Sequence, residues 1–225
     1  MAKSINVCCI LILCFLFSGC SNAYYEFMEK FGVHKRDILI DRVEDTQTAQ
    51  NQAEKEFKSA LEQFGSVVTI ENTNLKKMYE ELNAEYEDCQ ASALVVLNKI
   101  KQIESVSNAL FREWKKETVM YQNDTFREQS NRQLVETYQK YEEMILLMKQ
   151  SVNSMATVLY ILQDNVLFLK HNLNAQAIGS LQSEFSNLNL EVDELIQRVQ
   201  VSIDTSDAFI KEMRGRNSSL QREDE

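Results

Sequence analysis

The sequence predicts an all-α protein: an elongated antiparallel four-helix bundle of coiled-coil type, following a cleaved N-terminal leader. Three observations predict it. The 225 residues include five glycines and no proline, so the residues that break helices and build tight turns are almost missing. Apolar residues recur every seven positions over long stretches, as helices packed along a narrow seam require. Short polar runs interrupt those stretches and divide them into segments of helical length. A content of 44% hydrophobic and 26% charged residues is ordinary for a folded chain and excludes wholesale disorder and collagen-like structure.

The first segment, residues 1–19, reads as a lipoprotein signal peptide. Lys3 supplies the charged start, Ile5 to Phe17 an apolar run, and Ser18-Gly19-Cys20 the small residues and cysteine at which such a leader is processed. The run is shorter than the roughly 20 residues that a membrane-spanning helix needs. Cys20 becomes the lipidated N-terminus on this reading, and in a diderm bacterium Ser21, rather than Asp, favours export to the outer membrane, facing the periplasm. Residues 20–35 are a lipidated tether. Cys8, Cys9 and Cys14 leave with the leader, so Cys89 remains as the free thiol and no internal disulfide is expected.

The bundle domain is expected over residues 36–214. Its first helix carries Val43, Gln50, Phe57 and Phe64, alternating with Thr46, Ala53, Ala60 and Val67, and ends near Gly65 and the polar stretch from Thr69 to Asn74. The second repeats Leu75, Leu82, Cys89, Val96, Ile103 and Leu110, with Tyr79, Tyr86, Ala93, Ile100, Ser107, Trp114 and Tyr121 four residues after each. Trp114 is a core anchor by this phase. Gln122-Asn123-Asp124-Thr125 then breaks the seam, and Thr125 with Glu128 forms a capping box expected to open the third helix. That helix repeats Leu134, Tyr141, Met148, Met155, Leu162 and Leu169, interleaved with Tyr138, Ile145, Val152, Leu159, Val166 and Leu173. Two such helices make a hairpin roughly 65–70 Å long at 1.5 Å per residue. The final seam, Leu181 to Met213, is out of phase with the third, which places a turn at His171-Asn172-Leu173-Asn174. Residues 215–225 are expected to form a disordered polar tail.

Several runs together resemble an uncharacterised family of bacterial lipoproteins, domain of unknown function 2959. They are Phe31 to Leu39 with Asp41-Arg42-Val43, Phe57 to Glu62, Leu82 to Tyr86, Leu110-Phe111 with Glu113-Trp114, and Phe168 to Ile178. They sample almost the whole chain after the leader. The resemblance implies no activity and carries no catalytic residue over. The sequence has no G-x-x-x-x-G-K-[ST] phosphate loop.

The chemistry-bearing residues are few. The full chain has 24 basic and 34 acidic residues, a net charge of −10; loss of Lys3 with the leader makes it −11. Nucleic acid is not expected as a partner, because binding it requires clustered cations. His34, Lys35 and Arg36, about fifteen residues beyond Cys20, are candidates for contact with lipid headgroups, or else pair with acids at the start of the first helix. Lys170, His171, Asn172 and Asn174 would be displayed at a turn, as a docking point for an envelope partner or simply as a helix cap. No metal site, cofactor or catalytic residue is expected: the two histidines lack ligand spacing, and Cys89 lies on a buried seam. Acidic pairs such as Glu80-Glu81 read as solvated helix faces. The expected function is therefore non-enzymatic: a lipid-anchored scaffold, spacer or adaptor in the cell envelope. The alternative is a ligand-binding or sensing module built on polar gaps at Gln50, Ser107 or Ser206. An apolar strip around Leu94, Val95 and Leu97 offers a surface for a homo-oligomer.

Overall fold

A computed structural model describes Tyr25 and residues 34–69, 74–172 and 175–220, with the backbone alone at 69, 175–178 and 216–220. These residues form four helices: α1 (Lys35–Thr69), α2 (Leu75–Thr118), α3 (Asp124–His171) and α4 (Ala175–Leu220). The fold is all-α. The leader, Cys20, Leu173, Asn174 and residues 221–225 lie outside the described residues.

The helix ends follow from side chains that satisfy the backbone groups a helix leaves unpaired. Asn74 caps α2, its Oδ1 accepting from the Lys77 amide at 3.1 Å and its carbonyl from Met78 at 3.2 Å. α3 begins earlier than the capping-box reading predicts. Asn123, and not Thr125, is the cap: its Oδ1 accepts from the amides of Thr125 at 2.9 Å and Phe126 at 3.3 Å. Asn is as good an N-cap as Ser or Thr, and it leaves Asp124 in the first turn, where the helix dipole favours an acid. α3 ends where the phase change places a turn, with the Asn172 side-chain amide donating to the Phe168 carbonyl at 2.9 Å. α4 runs to Leu220, past the Gly215 boundary at which a structureless tail is expected.

The chain divides into two compact units. The first joins the start of α1 to residues 102–138 of α2 and α3. Here Ile103, Val106 and Phe111 are buried, and Phe111 meets Tyr138 edge-on at 5.1 Å between ring centroids. Tyr25 donates from its hydroxyl to Ser105 Oγ at 3.2 Å. Trp114 is only half-buried; its indole N–H donates to Ser130 Oγ at 3.0 Å, so it serves as an amphipathic border residue rather than a core anchor.

The second unit joins residues 43–101 to 139–225, and in it α1 runs antiparallel to both α2 and α4. Gln63 meets Glu81 while Asp45 meets Lys99, across α1 and α2. Phe64 stacks on Phe185 while Glu44 pairs with Arg214, across α1 and α4. All eight seam positions of α1 named from the sequence are buried: Val43, Thr46, Gln50, Ala53, Phe57, Ala60, Phe64 and Val67.

The seam of α3 differs in one register. Tyr141, Met148, Met155, Leu162 and Leu169 are buried as expected. The companion positions, however, are Thr137, Met144, Ser151, Val158 and Asn165, three residues after or four before them. Of the expected companions, Ile145 and Val166 are buried, Val152 and Leu159 are half-buried, and Tyr138 is 42% exposed. An apolarity rule selects Val152 over Ser151, yet the packed helices bury the serine.

A polar layer results. Gln50 of α1 donates through Nε2 to Ser151 Oγ of α3 at 2.9 Å and to Ser202 Oγ of α4 at 3.0 Å. Ser151 donates from its own hydroxyl to the Met148 carbonyl at 2.8 Å, and Ser206 donates to the Ser202 carbonyl at 2.7 Å. Gln50 Oε1 is buried without a partner.

α3 is long and apolar enough to cross a membrane by length and composition. Its apolar residues have another use, because Met144, Met148, Met155, Val158 and Leu162 are fully buried within this unit. Leu162→Ala is therefore expected to lower unfolding free energy by about 2–5 kcal/mol, through lost burial and a residual cavity. Leu190→Ala, at a side chain 68% exposed, should stay within about 0.5 kcal/mol of the parent. Urea unfolding followed by circular dichroism measures both; equal losses would contradict the assigned core.

Candidate functional site

The start of α1 is an ion-pairing site within the first unit. His34 precedes the helix and its carbonyl accepts from Asp37 and Ile38 amides at 2.9 and 3.1 Å. Lys35, 5% exposed, reaches across to Glu113 Oε1 of α2 at 3.0 Å. Arg36 lies over the Trp114 ring, 5.8 Å from its centroid, where a guanidinium is held by the ring quadrupole. Of the three residues singled out for headgroup contact, only His34 is exposed. Lys35 is buried and pairs with Glu113 of α2, which is itself half-buried.

The turn between α3 and α4 belongs to the second unit. Lys170 and His171 are exposed, in the last turn of α3, where cations oppose the negative end of the helix dipole. Asn172 is half-buried and makes the cap already described; its amide also donates to the Leu169 carbonyl at 3.2 Å. Asn172 thus has the cap role. Beside the two cations, Leu167 is 47% and Phe168 39% exposed. These apolar neighbours were not legible as surface residues, since Phe168 and Leu167 sit among core-like residues in the sequence.

A groove of about 310 Å³ runs along the second unit between α2 and α3. Leu94, Leu97, Val152 and Leu159 line it, with Tyr86 and Tyr160. These include Val152 and Leu159, which the register of α3 leaves out of the core. Gln90 donates to the Tyr86 hydroxyl oxygen at 3.0 Å. No lining residue carries a charge. Leu94 and Val95, part of the strip considered for self-association, are 53% and 48% exposed.

Reactive groups are muted. Cys89 is fully buried. Burial pushes its thiol pKa up, and Glu85, Glu56 and Asp88 add to the shift by repelling a thiolate. It is therefore a packing residue, since the thiolate is the nucleophile. Among the described residues no group of three or more His, Cys, Asp or Glu is placed to hold a metal ion. The acidic pair Glu80-Glu81 is met by Lys76 and Lys77, at 3.7 and 3.2 Å one helical turn away.

The family described as protein of unknown function, DUF2959, matches residues 24–213. No curated protein and no solved structure matches the chain.

Proposed function

We propose, for a chain that belongs to the DUF2959 family of proteins of unknown function, a non-enzymatic role as a lipid-anchored scaffold or adaptor of the bacterial envelope. Its anchor is the lipid on Cys20, its location the periplasmic face of the outer membrane, and its partner another envelope protein. One observation carries the docking part of this reading: Leu167 and Phe168 stand exposed beside Lys170 and His171 at a capped helix end. Apolar side chains next to cations, held on a rigid element, have the composition of a small protein contact.

Photo-crosslinking in cells tests it. A photoreactive residue at Lys170 or His171 should give one defined adduct, identifiable by mass, and the same residue at exposed Val201 of the same unit should not. Absence of any adduct from the turn would contradict docking there.

The groove between α2 and α3 favours a second reading, a ligand-binding module. Its volume lies at the lower end of the range for small-molecule sites, about 300–1,000 Å³, and its uncharged lining suits an apolar ligand with one or two hydrogen-bonding groups. Nile red should fluoresce on binding the parent protein and lose most of that signal in Ala156→Phe, which fills the groove. Equal fluorescence from both would remove this reading.

A further inference from the structure

The turn that joins α2 to α3 exposes its apolar residues. Val119 is 71% exposed, Met120 66%, Tyr121 44% and Phe126 56%. A connection between helices is ordinarily polar, with Gly, Asn, Asp or Ser, so four large hydrophobes within eight residues need a reason.

The turn is built to hold them out. Met120 donates from its amide to the Glu117 carbonyl at 2.8 Å, and Asn123 caps α3. Arg127 ties the segment across its mouth, donating to the Tyr121 carbonyl at 3.1 Å while pairing with Asp124. Tyr121 and Phe126 meet edge to face, 6.5 Å between centroids. The apolar groups are therefore displayed rather than collapsed onto the helices.

Charge around them runs against the rest of the chain. Residues 112–132 hold five of the 24 basic and four of the 34 acidic residues, a net charge of +1 within a chain of −10. Lys115, Lys116 and Arg132 are exposed. The bland role of the two lysines is to oppose the dipole at the end of α2, and this is compatible with a second role toward an anionic surface.

We infer that the α2–α3 turn inserts into the lipid interface, with Val119, Met120, Tyr121 and Phe126 among the acyl chains and headgroups and Lys115 and Lys116 on anionic phosphates. Two arguments favour lipid over a protein. Aromatic rings flanked by cations suit the headgroup boundary. The chain's own N-terminal part also packs in this unit: Tyr25 bonds to Ser105, and Lys35 to Glu113, five residues before the end of α2. Five residues separate Cys20 from Tyr25 and reach up to about 17 Å. Ser105 to Thr118 is about 20 Å of helix. A lipid on Cys20 and the turn are thus within comparable distance of one surface. The inference rests on the anchored reading, to which it adds a second membrane contact.

The test uses the full chain reconstituted in vesicles of phosphatidylglycerol and phosphatidylethanolamine. An NBD fluorophore is placed at Met120→Cys, or at Val201→Cys in the other unit as control. Emission at position 120 should shift to the blue and be quenched by nitroxide-bearing lipid, while position 201 should show neither. Val119→Asp together with Phe126→Asp, both at exposed sites, should abolish the shift without changing the circular dichroism spectrum. An unshifted, unquenched probe at 120 overturns the inference. So does a probe unquenched in vesicles but shielded from maleimide in cells, which assigns the turn to a protein. The mass of Cys20 in the same sample reports the anchor separately. Lipidated Cys20 with an unquenched probe sinks the turn alone, and unmodified Cys20 with a quenched probe sinks the anchor alone.

Discussion

Gln50 is the constraint on which the second unit depends. A bundle whose seams are filled only with Leu, Val, Ile and Met gains almost as much from one register as from the next, because the hydrophobic effect is non-directional. A buried amide removes that freedom. Gln50 finds hydrogen-bond partners where Ser151 of α3 and Ser202 of α4 arrive at its level; sliding α1 by one turn would leave both amide hydrogens facing hydrocarbon, and sliding α3 or α4 alone would leave one of them unpaired. Each such unpaired group costs about 1–3 kcal/mol. The layer therefore sets register at some expense of stability, as single polar residues do in coiled coils. The buried Gln50 Oε1 that has no partner is part of that expense.

The register has consequences at the surface. With Ser151 and Val158 turned inward, Val152 and Leu159 are displaced to the border of the core and line the groove against Leu94 and Leu97. With Leu169 buried, Leu167 and Phe168 emerge beside Lys170 and His171. With Cys89 buried and acids such as Glu80 and Glu81 paired along helix faces, these apolar surfaces are what supports the proposed contact role.

The fold was legible because the sequence lacks proline and repeats its apolar residues every seven positions. The seam of α1 could be read entire, even its polar members Thr46 and Gln50, since Val43 before them and Phe57 and Phe64 after them fix the phase. The second seam of α3 could not, because Thr137, Ser151 and Asn165 look like surface residues while Tyr138, Val152 and Leu159 look like core. Ser151 is met by Gln50 on a different helix, a long-range pairing that periodicity does not encode, while Thr137 and Asn165 turn their side chains onto the Gln133 and Ile161 carbonyls of their own helix. Lys35 is a similar case, drawn inward by Glu113, 78 residues away. The apolar α2–α3 turn had a local signal, Val119-Met120-Tyr121 just before a polar break, but seam logic took Tyr121 as one more core position.

The register claim is tested most directly by the distance distribution between spin labels at exposed Lys58 on α1 and Gln197 on α4, in the parent chain and in Gln50→Leu. Pulsed electron paramagnetic resonance should give one narrow distance in the parent. In Gln50→Leu it should give a broadened or multiple distribution at an equal or higher urea midpoint, because the leucine removes the directional pairing and the unpaired oxygen together. An unchanged narrow distance in Gln50→Leu would show that apolar packing alone sets the register, and would contradict the account.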